Sequence, residues 1–189
     1  MADIKKHTSQ GLGAKDDGQA SGRGLQGAAT AGSPLLFLRE EELRQGIELL
    51  FYAYRDFISD PDEILAAEGL GRAHHRAIHF VGRNQGMTVA ELLDILRITK
   101  QSLSRVLKQL VDDGYIEQKE GTNDRRQRLL YLTDKGAAFE RALSAPQRDR
   151  MARAYREAGP EAVAGFRQVL LGLIDEDDRA RILAAFSQW

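Results

Sequence analysis

Lys100, Gln101, Ser104, Arg105 and Lys108 recur on one side of a short amphipathic segment whose other side is Leu103, Val106, Leu107 and Leu110. At 3.6 residues per turn the two sets fall on opposite helix faces. The polar set suits base edges in a DNA major groove: Gln can bridge N6 and N7 of adenine, Arg or Lys can bind O6 and N7 of guanine, and Ser can contact bases or phosphates. A merely solvated helix face has the same composition, so the neighbouring chain has to decide between the two readings. Shortly afterwards, Thr122-Asn123-Asp124-Arg125-Arg126-Gln127-Arg128 places three guanidinium groups in four positions. Like charges so close repel unless an anion is bound or Asp124 screens them. A phosphate or minor-groove contact would relieve that repulsion.

A second cluster, Arg72-Ala73-His74-His75-Arg76-Ala77-Ile78-His79, has a different chemistry. His75 and His79 are four apart and share a helix face, an adequate spacing for a metal or haem ligand pair. The intervening residues lack the Glu of a metalloprotease helix. Three readings stay open: histidines that hydrogen-bond at a junction between helical layers, a pocket for a small effector formed by His74, His75, His79 and Tyr54, or a metal- or haem-responsive site. No metal or cofactor is assigned. With no cysteine, no Gly-x-Ser-x-Gly elbow and no P-loop, an enzyme is not expected.

These residues need elements to hold them. Thr88 followed by Glu91 is a capping box opening a helix with the stripe Val89, Leu92, Leu93 and Leu96. A tight turn at Arg97-Ile98 leads to Thr99, a plausible N-cap for the helix bearing the polar set, which ends at Gly114. Tyr115–Gln118 and Gln127–Leu132 read as strands of a hairpin around the polar loop Lys119 to Arg126. Two helices joined so tightly and followed by a hairpin make a winged helix-turn-helix. The fold class expected is therefore mainly α with a small β-hairpin wing.

Around this core the pattern is helical. Leu43, Ile47, Leu50, Tyr54 and Phe57 mark a long amphipathic helix expected to end near Asp60-Pro61, and a second helix spans Leu70 to about Val81. Thr133-Asp134 caps a further helix, expected to kink or break at Pro146. Pro160 opens another with Val163, Phe166, Leu170 and Leu173. An acidic break at Asp175 to Asp178 precedes a last helix bearing Ile182, Leu183 and Phe186.

The chain has 189 residues, enough for one ordinary core but not two large ones. Residues 1–34 hold seven glycines and few apolar residues, and are expected to be a disordered tail. Residues 35–189 are expected to form one domain, with 35–69 and 137–189 as dimerisation helices and 70–136 as the DNA-binding region. No apolar run reaches membrane-spanning length and no signal peptide is visible, so the protein is expected in the cytoplasm. Overall charge is −1, but between Arg97 and Arg128 eight basic residues face five acidic ones, whereas Ser33–Asp60 carries three Arg against six acids. The positive surplus thus lies where phosphates are expected.

Thr88 through Gly136, and more loosely 35–189, resemble the MarR family of bacterial transcription regulators. The residues that carry the likeness are Thr88-Val89-Ala90-Glu91-Leu92, Thr99-Lys100-Gln101-Ser102-Leu103-Ser104-Arg105, Leu110-Val111-Asp112-Asp113-Gly114-Tyr115-Ile116, and Asp124-Arg125-Arg126 running on to Leu132-Thr133-Asp134-Lys135-Gly136. The Arg-His-His-Arg run is similar to the PetP-like branch of that family. The resemblance implies a homodimer with intertwined first and last helices, release from DNA on binding a small ligand, and repression as the usual outcome. It matches Asp124 and Arg126 to an ion-paired wing motif, Arg125 to the exposed tip, and Lys100 through Arg105 to the recognition helix. The Gly-rich tail and Pro146 depart from the family pattern.

The expected DNA contacts are Thr88, Thr99, Lys100, Gln101, Ser102, Ser104, Arg105, Lys108, Arg125, Arg126 and Arg128. Apolar stripes at both chain ends, which one small core cannot cover, independently favour a dimer. Two-fold symmetry would then set the reading helices about one DNA turn apart on a palindrome. A protein-binding winged module is the competing reading, and the arginine-rich tip favours phosphate over it.

Overall fold

The computed structural model describes residues 36–121, 124 and 126–186. The expected tail 1–34, with Leu35, and the expected contact residue Arg125 lie outside the described residues. A 3-10 turn, Leu36–Leu38, precedes six helices: α1 Glu40–Ala67, α2 Arg72–Arg83, α3 Val89–Leu96, α4 Lys100–Asp112, α5 Asp134–Leu173 and α6 Glu176–Phe186. Three strands, β1 Met87–Thr88, β2 Ile116–Glu120 and β3 Arg128–Leu132, form an antiparallel sheet in the order β1-β3-β2. The chain divides into two units at Leu43–Arg44, inside α1, and the packing described below is that of 44–189.

The winged helix-turn-helix is present, and its cap residues explain why. Glu91 N–H donates to Thr88 Oγ1 at 3.2 Å while Thr88 N–H donates to Glu91 Oε2 at 2.7 Å, completing the capping box of α3. Thr99 Oγ1 accepts from Ser102 N–H at 3.1 Å, and Thr133 Oγ1 from Gly136 N–H at 3.0 Å, so α4 and α5 start where their hydroxyls require. The hairpin pairs Ile116 with Leu132 through to Glu120 with Arg128. The two-residue strand β1 adds a third member, pairing Met87 with Leu130, which the short run before Thr88 does not announce. The core gathers Ile78 and Val81 of α2, Leu92 and Leu96 of α3, Leu103 and Leu110 of α4, Ile116 and Leu130 of the hairpin and Leu143 of α5.

Three expected helix limits are corrected. α1 does not end at Asp60-Pro61; it runs through Pro61 to Ala67. Proline removes the N–H that would have bonded to Phe57, and Gln147 Nε2 of α5 donates to that carbonyl instead, at 3.4 Å. α5 likewise stays helical through Pro146, and its backbone leaves helical geometry at Gly159, where φ is 82°. A positive φ suits glycine, and Pro160 restarts the helix without needing a donor. The acidic break at Asp175–Asp178 is shorter than expected: the chain leaves helix only at Ile174 and Asp175, and Glu176, Asp177 and Asp178 already form the first turn of α6, where negative charge is favoured.

Gly136 shows how the Leu-Thr-x-x-Gly run joins hairpin to helix. Thr133 N–H donates to the Tyr115 carbonyl at 3.1 Å. A Cβ on Gly136 would overlap that same carbonyl oxygen, so only glycine lets α5 pass this close to the start of β2.

Candidate nucleic-acid interface

α4 buries Leu103, Val106, Leu107 and Leu110 and exposes Lys100, Gln101, Ser104, Arg105 and Lys108. The division is the one the sequence spacing requires, and it presents the whole polar set to solvent on a helix fixed from behind by α2 and β2. Lys100, Ser104 and Lys108 border a depression of about 490 Å³ together with Val89 of α3 and Gln118 of β2. Gln118 was not among the residues expected from sequence; its place opposite Leu130 in the hairpin register brings it beside α4, and no local motif signals that.

Several expected contact residues already have partners within the chain. Thr88, Thr99 and Ser102 are engaged in helix capping, and Thr99 Oγ1 also donates to Ser102 Oγ at 2.8 Å. Lys108 pairs with Asp112 one turn on. In the hairpin, Arg128 pairs with Glu120 at 3.0 Å, whereas Arg126 is exposed. The Asp124–Arg126 relation is a backbone one: Arg126 N–H donates to Asp124 Oδ1 at 2.9 Å, which folds the tip.

The three histidines of α2 have separate surroundings, and of them His79 faces α5. His74 Nδ1 accepts from Gly71 N–H at 3.1 Å, which closes the start of α2. His79 Nδ1 faces Glu140 of α5 at 3.4 Å. Burial, reinforced by His79, pushes the His75 imidazole below its usual value, with Glu140 and Asp62 opposing. His79, Gly82, Arg83, Glu140, Ser144 and Arg148 line a cavity of about 370 Å³. Tyr54 is exposed on α1 and, with His74 and His75, is not among its lining residues. Among the described residues, no group of three His, Cys, Asp or Glu side chains is placed to hold a metal ion.

Comparison with known proteins bears on this arrangement. A family model described as "MarR family" matches residues 68–127, the span from the end of α1 to the residue before β3. The HTH-type transcriptional regulator PetP of Rhodobacter capsulatus is 58% identical over 147 residues, covering 78% of this chain and 89% of that protein. The chain belongs to the MarR family. Solved structures of MarR-family proteins share the fold at low identity. FabT of Streptococcus pneumoniae in complex with DNA aligns with a TM-score of 0.62 at 20% identity, covering 69% of this chain and 94% of that one. A mutant MarR from E. coli complexed with operator DNA aligns at 0.56 and 22%, covering 74% and 99%. The family and the relatives this chain matches are transcription regulators, not enzymes. No described helix is long and apolar enough to cross a membrane.

Proposed function

We propose that this MarR-family protein is a sequence-specific double-stranded DNA-binding regulator, a cytoplasmic homodimer that represses from a palindromic operator and responds to a small effector. The observation that carries the DNA reading is the two-faced α4: four buried aliphatic residues lock it, and Lys100, Gln101, Ser104 and Arg105 project from the other side. A groove-reading helix needs that combination of rigidity and exposed donors and acceptors. The relatives solved with DNA support it through the shared fold.

Dimerisation is supported by apolar surface at both chain ends. Ile47, Leu50, Phe51 and Tyr54 on α1 are exposed in the single chain, as are Phe166, Leu170 and Leu173 on α5. Such surface calls for a partner, and a two-fold axis would set the two α4 helices to successive turns of one duplex. The effector reading is supported by the cavity between α2 and α5, where Arg83, Arg148 and His79 stand beside Glu140.

Selection of bound sequences from a random duplex pool tests the proposal. Recovery of a palindrome with half-sites one helical turn apart is the expected result. Failure to retain any duplex at low ionic strength would end the DNA reading.

A further inference from the structure

Arg97 closes α3 with φ 49° and ψ 45°, the sole positive φ at a non-glycine residue among those described. This left-handed conformation is disfavoured for a residue bearing Cβ, and glycine would adopt it more readily. The position is sensitive, because only Ile98 and Thr99 separate it from α4. Its dihedrals therefore aim the reading helix.

What the arginine supplies beyond glycine is a long charged side chain, and its partners lie far along the sequence. Arg97 Nη1 donates to Asp175 Oδ2 at 3.1 Å and Nη2 to Asp178 Oδ2 at 2.5 Å. Asp178 Oδ1 in turn accepts from Arg181 Nη2 at 3.0 Å, and Arg181 returns to α3 by pairing with Asp94. The backbone at this turn is held from a second direction, since Arg76 Nη2 of α2 donates to the Leu96 carbonyl at 2.8 Å. Two arginines and three aspartates thus close a ring between the first turns of α6 and the end of α3.

We propose that this ring is a positioning device for the DNA reader: Asp175 and Asp178 hold the Arg97 guanidinium and thereby fix the turn that orients α4. The inference rests on the DNA-binding reading for its functional consequence, but not for its physical content. A single exposed ion pair contributes little and is screened by salt, whereas a chelated arginine within a network is held more firmly. The device is therefore expected to weaken as ionic strength rises, separately from the loss of phosphate contacts.

The sign of one substitution distinguishes positioning from bulk charge. In the full chain, Asp175→Asn with Asp178→Asn removes two negative charges near a basic surface, which by charge alone would tighten binding to a duplex. Positioning predicts the reverse: affinity for the selected duplex falls roughly fivefold, a loss of the size expected for a small ion-pair network. Arg97→Gln falls at least as far, and adding the two Asn substitutions to it costs distinctly less than they cost alone, because the Arg97 tie is already cut and only the Asp178–Arg181 pair is left to lose. Tighter or unchanged binding by the Asn variant, or simple additivity, would overturn the proposal.

Amide hydrogen exchange gives a readout that needs no DNA. Exchange at Arg97, whose N–H donates to the Leu93 carbonyl at 3.0 Å, is expected to accelerate in the Asn variant while α2 and the hairpin stay protected. Unchanged exchange would overturn the tie even in a protein that bound every duplex. Faster exchange in a protein that bound none would instead leave the tie standing and remove the DNA reading.

Discussion

Gln147 on α5 completes a hydrogen bond that α1 cannot make for itself: its Nε2 donates to the Phe57 carbonyl at 3.4 Å, four residues before the buried Pro61. The long first helix therefore depends on a neighbour from the other end of the chain to pass through proline. Arg150, one turn further along α5, adds a pair to Asp60 at 3.3 Å.

Gln147→Ala should destabilise the fold by about 1 kcal/mol, the usual net worth of one such bond. In a Pro61→Ala background, where α1 regains its own N–H, the same change should cost distinctly less. Denaturant titration of the four proteins reads this coupling, and equal costs in both backgrounds would contradict it.

Gly136→Ala should be far more damaging, because the new methyl group would collide with the Tyr115 carbonyl rather than with a mobile side chain. A loss of ~3 kcal/mol or more, or failure to fold, is expected. Thermal melting against Gly165→Ala, where a Cβ meets nothing, supplies the control.

On DNA, Gln101→Ala should relax base preference at one position in each half-site, costing ~1 to 3 kcal/mol there. Arg126→Ala should weaken binding to many sequences alike and reduce the salt dependence by about one counterion. The same is expected of Arg125→Ala. Equal binding by all three variants would show that α4 and the hairpin do not hold the duplex.

Stability should fall on the acid side through His75. Its folded-state imidazole titrates below the ordinary value, so the unfolded chain binds the proton more readily. The stabilisation is present above the unfolded value near 6.5 and is lost as pH drops below it toward the lower folded value. His75→Gln should flatten the dependence of melting temperature on pH between about 7.5 and 5. An unaltered profile would assign the acid sensitivity elsewhere.

Much of this molecule is legible in the sequence because its signals are local. Thr88 with Glu91, Thr99 and Thr133 each satisfy backbone donors within three residues, so helix starts follow directly from residue type. The faces of α4 follow from spacing alone. What stays hidden is non-local: Pro61 and Pro146 suggest helix ends, yet packing keeps both helices going. Asp175–Asp178 read as one long break, yet of them only Asp175 lies between the helices and the other three acids open α6, beside Arg97 and Arg181. Composition marks Thr88, Thr99 and Ser102 as candidates for DNA but does not show that they also bond within the helix caps. The strand β1 is two residues long and takes its conformation from β3.

The uninterrupted stretch of α5 from Asp134 to Ala158 has a mechanical consequence. At 1.5 Å per residue it is a rod about 37 Å long, with the hairpin attached at one end and the irregular glycine at the other. A swing of about 5° at Gly159 would carry the far end through about 3 Å, close to the ~3.4 Å rise of one base pair. The backbone angle at Gly159 therefore acts on the hairpin end with the whole rod as its lever arm.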